Sequence, residues 1–300
     1  MRASENIFKR LSLAGSPHQL ALFRIALGLQ IFMAVHSKVF PLLLTVGDTQ
    51  DVTTVFPTWL EKAIAQHMVP WLVLFCKIFS GLLVLGFLTR IILPILTAAF
   101  ILLYSFYYMG ANAPVQWLYF WVPLIILCFS NPSHVWSLDA WLFKKRDSLD
   151  LKQYRWPVEL IIVWIAFIYV AAGLSKITPL SNGVRWIMYG TTTQYIAYFR
   201  FLDSPLYYLF GRPFFDYSKV NWIWAFLSLF GMVAELGSIL LLVTRKYNFI
   251  IFMAISFLHF GIYLLGIGAF LLPFLILSIA LINPSWFNNK FLNMQKFHDC

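Results

Sequence analysis

Eight apolar runs, each about the length that crosses a bilayer, recur along this 300-residue chain and leave it few ways to fold. They lie near 18–40, 70–88, 91–109, 115–131, 156–174, 222–243, 247–264 and 267–283. Hydrocarbon ~30 Å thick offers no partner to a backbone N–H or C=O, so each run is read as a helix that satisfies its own backbone. Only Gly261, Gly266 and Gly268 separate the last two, so one tilted helix and a re-entrant segment are an alternative there. Composition agrees: 61% apolar residues, 11% charged residues and a mean hydropathy of +0.77 leave too little polar surface for a soluble globule. The expected class is all-α, a polytopic integral membrane bundle forming one domain over 1–300.

Charge gives the orientation. With the N-terminus in the cytoplasm, Arg2, Lys9, Arg10, Arg90, Lys144, Lys145, Arg146, Lys152, Arg155, Arg245, Lys246, Lys290 and Lys296 share one side. That is thirteen of the 22 basic residues, as the positive-inside rule requires. Both termini are then cytoplasmic, in a multi-pass protein of the plasma (cell inner) membrane. The leading MRASENIFKR reads as the flank of a retained first span, since no small-residue cleavage site follows. The net charge of +10 is scattered over short loops and forms no basic face, which argues against nucleic acid as a partner. Membrane lipid is the expected one.

The opposite side receives the long 175–221 segment, rich in aromatic residues from Tyr195 to Tyr217 and carrying Arg200, Arg212 and Lys219. It is read either as an interfacial aromatic belt or as a substrate cleft. Cys76, Cys128 and Cys300 are too far apart for a CxxC motif and imply no disulfide framework. His18, His67, His134 and His298 lack ligand spacing, so no metal is expected.

Charged groups inside a bilayer are costly, by roughly 2.5 kcal/mol or more on insertion scales, so each marks a candidate site. Arg24 and Lys77 lie about two turns inside their spans, and their stems are expected to snorkel to an interface. Glu235 is deeper. Reflection about the Arg245–Lys246 turn sets it opposite position 256, about 5 Å in depth from His259, which predicts that the two pair or share a polar cavity. Such a pair serves equally as an active-site element or as a clamp between helices. Lys176 closes the fifth run, after the small residues of AAG and before the Thr178–Pro179 step that ends the helix. A lysine base must shed a proton it ordinarily keeps; burial favours this, and the negative end of its own helix opposes it.

Six stretches recur in the order of a known family. They are ALFRIALGL with Arg24, GFLTRI with Arg90, SHVWSLDAW with Trp136 and Asp139, IYVAAGLSK with Tyr169 and Lys176, AELGS with Glu235, and FLHF with His259. In these the chain resembles the HTTM family, the membrane module of the vitamin K-dependent gamma-glutamyl carboxylases and their bacterial relatives. The resemblance implies chemistry at the extracytoplasmic side. A lysine at the position of Lys176 deprotonates a reduced quinone, whose oxygenation yields a base that removes a proton from a peptide glutamate before carbon dioxide adds. Lys176, Glu235 and His259 are then the expected catalytic residues, with Tyr169, Gln116 and Trp186 around the quinone. Where carboxylases carry an Asn-His pair, this chain has Val115 and Gln116, and glutamine shuttles no proton at neutral pH. The large water-exposed domain of the animal enzymes has no counterpart, so a secreted peptide would be recognised by the membrane module or by a partner membrane protein. Asp139 is expected to cap or orient a juxtamembrane helix. Two other readings are a non-catalytic membrane subunit that binds a lipid or partner in export or assembly, and a proton-coupled transporter.

Overall fold

The computed structural model describes residues 11, 13–36, 67–110, 118–143, 150–177, 190–213, 215–216, 222–243, 247–266 and 271–281. All elements among them are helical: α1 (Pro17–His36), α2 (Val69–Leu85), α3 (Thr89–Gly110), α4 (Leu118–Cys128), α5 (Leu138–Phe143), α6 (Arg155–Ser175), α7 (Thr191–Arg200), α8 (Pro205–Phe210), α9 (Trp222–Gly237), α10 (Leu240–Val243), α11 (Asn248–Leu264) and α12 (Leu271–Leu281). Short 3₁₀ turns, Leu151–Tyr154 and Phe201–Asp203, precede α6 and follow α7. A helix lies within each of the eight apolar runs. Three are long and apolar enough to cross a membrane, over Pro17–Val35, Leu151–Ser175 and Trp222–Val243; Val69–Leu85, Thr89–Leu103 and Asn248–Leu264 are apolar but shorter.

The chain divides into two compact units, the residues between 12 and 158 and those between 159 and 282. In the amino-terminal unit α1 packs on α2 and α4, α2 on α3, and α3 on α4. Leu20, Phe23, Leu27 and Ile31 recur at helical spacing on α1 and are fully buried, against Cys76 and Leu83 of α2 and Leu96 and Phe100 of α3. The outer faces are just as apolar. Phe32, Met33, Trp71, Ile78, Ile91 and Phe129 are all exposed, an exterior suited to hydrocarbon and unsuited to water.

A buried cation organises one end of this unit. Arg24 is fully buried, with Nη1 donating to the Pro132 carbonyl at 3.2 Å and Nη2 to the Trp136 carbonyl. The snorkelling expected for Arg24 is therefore corrected: carbonyls of the 131–137 segment satisfy it inside the protein. Gly86 ends α2 in the left-handed conformation, φ +68°, with its N–H on Leu83 and the next N–H on Leu82. A Cβ there would strike the Arg24 guanidinium and Ser137. Asp139 caps α3 from fifty residues away, its carboxylate accepting from the N–H of Leu88 (2.7 Å) and of Thr89 (2.8 Å). The cap thus belongs to α3, while Ser137 caps α5 through the Ala140 N–H at 2.9 Å. Leu88 (φ 45°) and Trp136 (φ 50°), left-handed without being glycine, are both pinned by this network.

The carboxy-terminal unit is held by α11 against α8, α9, α10 and α12, and by α7 against α9. Trp224, Ala197 and Leu265 form a buried cluster, packed by Phe215. Thr193 and Ser228 share a hydrogen bond of 2.6 Å between α7 and α9, and Ser204 Oγ donates to the Leu264 carbonyl at 2.5 Å. Tyr195, Tyr198, Phe199, Tyr208 and Phe210 instead point outward, as an interfacial belt would.

Candidate functional site

The polar groups of the carboxy-terminal unit gather where α6, α9 and α11 meet. Tyr169 on α6 and Lys176, the first residue beyond its end, are seven residues apart, about two turns. The helix closes beyond Ser175 with tighter bonds, Lys176 N–H to Gly173 at 3.3 Å and Ile177 N–H to Leu174 at 3.0 Å. Gly173 lets α9 come close, because a Cβ there would lie 2.9 Å from the Leu236 side chain. Ser238 Oγ bridges the same helices, donating to the Ala166 carbonyl at 3.2 Å and the Glu235 carbonyl at 2.6 Å.

Two side-chain pairs follow. Lys176 Nζ donates to both carboxylate oxygens of Glu235, each at 2.5 Å, with the side chains 18% and 9% exposed. Tyr169 Oη and His259 Nε2 share a hydrogen bond, and both residues are buried. His259 faces inward with Ile251 and Ile255 on the i, i+4, i+8 stripe of α11. Of the two expectations for Glu235 and His259, a direct pair or a shared polar cavity, the pair is corrected: Glu235 bonds Lys176, and His259 bonds Tyr169. Gln116, Val115 and Trp186 lie outside the described residues.

Depth makes the ion pair chemically distinctive. Glu235 falls thirteen residues after Trp222 and eight before Val243, near the middle of the 222–243 segment. At ~1.5 Å per residue it is about 20 Å from one end and about 12 Å from the other. Lys176, the first residue past the end of α6, is drawn to that level, so its amine is sheltered by protein although its helix has ended. Among the described residues no group of three His, Cys, Asp or Glu is placed to hold a metal ion.

Sequence reasoning passed over one carboxylate. Glu159 is fully buried one turn inside α6. Its signal was present, an acid inside the boundary of an apolar run, but Arg155 beside it reads as a loop charge and draws the pair toward the interface. Arg155 too is buried, at 3% exposure. Comparison with protein-family models, with characterised proteins and with solved structures finds no match.

Proposed function

We propose that the chain is a multi-pass plasma-membrane protein of the HTTM kind, with eight spans and both termini cytoplasmic, in which Lys176 serves as general base toward a reduced quinone during maturation of a secreted peptide. One observation carries this reading: a lysine amine mostly withdrawn from solvent and bonded to a buried carboxylate near the middle of a bilayer-length segment. Passing the ammonium proton to Glu235 leaves two neutral groups, which a dry site tolerates better than an isolated ion. The free amine of Lys176 would be the group that accepts a proton from a quinol hydroxyl, and as ammonium it would supply the counter-charge at that end of the site. Tyr169, two turns back along α6, and its partner His259 on α11 offer a second hydrogen-bonding edge. By the resemblance, reduced quinone supplies through oxygen the strong base that precedes addition of carbon dioxide to a glutamate. A lipid-soluble ligand reaches such a site laterally, and surrounding apolar helices keep water from a reactive species.

The test is incorporation of labelled bicarbonate into secreted peptides by membranes that hold the full chain, reduced quinone and oxygen. Mass spectrometry should find one added carboxyl group, absent with Lys176→Ala at equal levels of folded protein. Incorporation undiminished in that variant would refute the proposal. A second reading, a non-catalytic subunit that binds lipid or a partner protein in export or assembly, is favoured by the Gly173–Leu236 approach and the Ser238 bridge, which fasten α6 to α9 where they cross. It expects Lys176→Ala to lose folded protein in proportion to function.

A further inference from the structure

A cleft in the amino-terminal unit opens between the first turn of α3 and the end of α4, lined by Thr89, Arg90, Pro94, Cys128, Ser130 and Asn131 among others. Three polar features converge on it. The exposed Arg90 guanidinium is steadied by Nη2 donating to Asn131 Oδ1 at 3.1 Å. Thr89 is 1% exposed, and its hydroxyl has no hydrogen-bond partner among the described residues; buried hydroxyls are ordinarily bonded, so this one lacks something the cleft would supply. Pro94 has no N–H, which leaves the Arg90 carbonyl without its donor one turn on. The N–H groups of Leu88 and Thr89 are already taken by Asp139, so attraction for an anion rests on the guanidinium and not on the helix end.

An apolar stripe continues from Arg90 along the same side of α3. Ile91, Pro94, Ile95, Ala98 and Leu102 are all exposed, at helical spacing. From Ile91 to Leu102 it runs about 16 Å, the thickness of one leaflet's hydrocarbon. A cation at the head of an apolar strip one leaflet long is the pattern of a phospholipid, charged at one end and oily along its length. The base of the cleft has room for about one water-sized group, so a single phosphoryl oxygen, and not a whole phosphate, can reach Thr89.

We infer that one membrane phospholipid occupies this cleft, its phosphate bonded to Arg90, one phosphoryl oxygen accepting from the Thr89 hydroxyl, and an acyl chain lying along Ile91 to Leu102. The chemistry is separate from that of Lys176. The test titrates the full chain, stripped of lipid in mild detergent, with dioleoylphosphatidylglycerol, with dioleoylglycerol and with inorganic phosphate, and counts bound molecules by native mass spectrometry. One phosphatidylglycerol per chain is expected, with the phosphate-free lipid and the lipid-free phosphate each at least about tenfold weaker. Arg90→Ala should lower lipid affinity about tenfold. Thr89→Val, which replaces a hydroxyl lacking any partner with a methyl of similar size and so should fold, should lower it a few-fold. Arg212→Ala, an exposed cation of the other unit, should leave it unchanged. Affinity unaffected by Arg90→Ala, an equal loss with Arg212→Ala, or inorganic phosphate bound as tightly as the lipid would each overturn the inference.

Discussion

Removing either member of the Lys176–Glu235 pair should cost more than removing both. Where both charges are fully buried, loss of one partner costs roughly 3–5 kcal/mol, because the survivor stays uncompensated in a dry site. Between membrane helices, polar contacts measured by double-mutant cycles are weaker, averaging ~0.6 kcal/mol and reaching ~1.7. Here both oxygens of Glu235 are engaged at 2.5 Å, while Lys176 retains 18% exposure and a long stem that can swing toward a polar exit. Glu235→Leu and Lys176→Met should therefore each cost about 2 to 3 kcal/mol, between those limits. The double variant Lys176→Met with Glu235→Leu removes both charges at similar volume and should return to within about 1 kcal/mol of the parent. That implies a coupling of at least about 3 kcal/mol, large for a contact between two residues. Unfolding of the full chain in mixed micelles, followed by loss of helical circular dichroism as denaturing detergent is raised, measures all four corners of the cycle. Additive costs, with the double variant as unstable as the sum of the singles, would refute the pairing.

Asp139→Ala removes the acceptor of two N–H groups at the start of α3 and should lower stability by about 1 to 2 kcal/mol in the same assay, with Asp139→Asn recovering part of it. Gly86→Ala should cost at least about 2 kcal/mol, since the left-handed backbone and the collision with Arg24 and Ser137 act together. Tyr169→Phe, which deletes one hydroxyl at a buried site, should cost about 1 kcal/mol, and Tyr169→Phe with His259→Phe should be less than additive.

The positions of the helices could be read in the sequence because hydrocarbon permits an apolar run few alternatives to α-helix. Which side chains would meet could not. Setting Glu235 opposite His259 by reflection about the Arg245–Lys246 turn assumes one straight helix from Trp222 to Val243. In the structure α9 stops at Gly237, and i→i−3 bonds from Ser238 to Glu235 (3.2 Å) and from Leu241 to Ser238 (3.0 Å) tighten the chain before α10 resumes. A turn of three residues in place of 3.6 rotates the preceding face, and Glu235 is presented to α6. Lys176 was legible as a helix end but not at its depth, because its long side chain and the close approach at Gly173 together decide which part of α9 it reaches. Arg24 failed for another reason. Its acceptors lie 108 and 112 residues away, and no local pattern announces two backbone carbonyls waiting there.

Both units bury a long cationic side chain beside the end of a helix, and the difference between their acceptors separates architecture from chemistry. Arg24 is surrounded by backbone carbonyls, which are fixed in place and accept no proton, and a guanidinium does not give one up in proteins. Such a group can only hold the 86–89 and 131–137 segments together, and the left-handed Leu88 and Trp136 show how tightly it does so. Lys176 is bonded to a carboxylate, a group that accepts hydrogen bonds and can also accept a proton. The proposed base needs the pair to pass from two ions to two neutral groups, since only the second state presents a lone pair to a ligand. Lys176→Arg keeps the charge, the length and the hydrogen bonds to Glu235 but removes that second state. It should leave the helices clamped, with unfolding near that of the parent, and abolish any base-dependent turnover. Turnover that survives Lys176→Arg would make the pair a fastener of the same kind as Arg24.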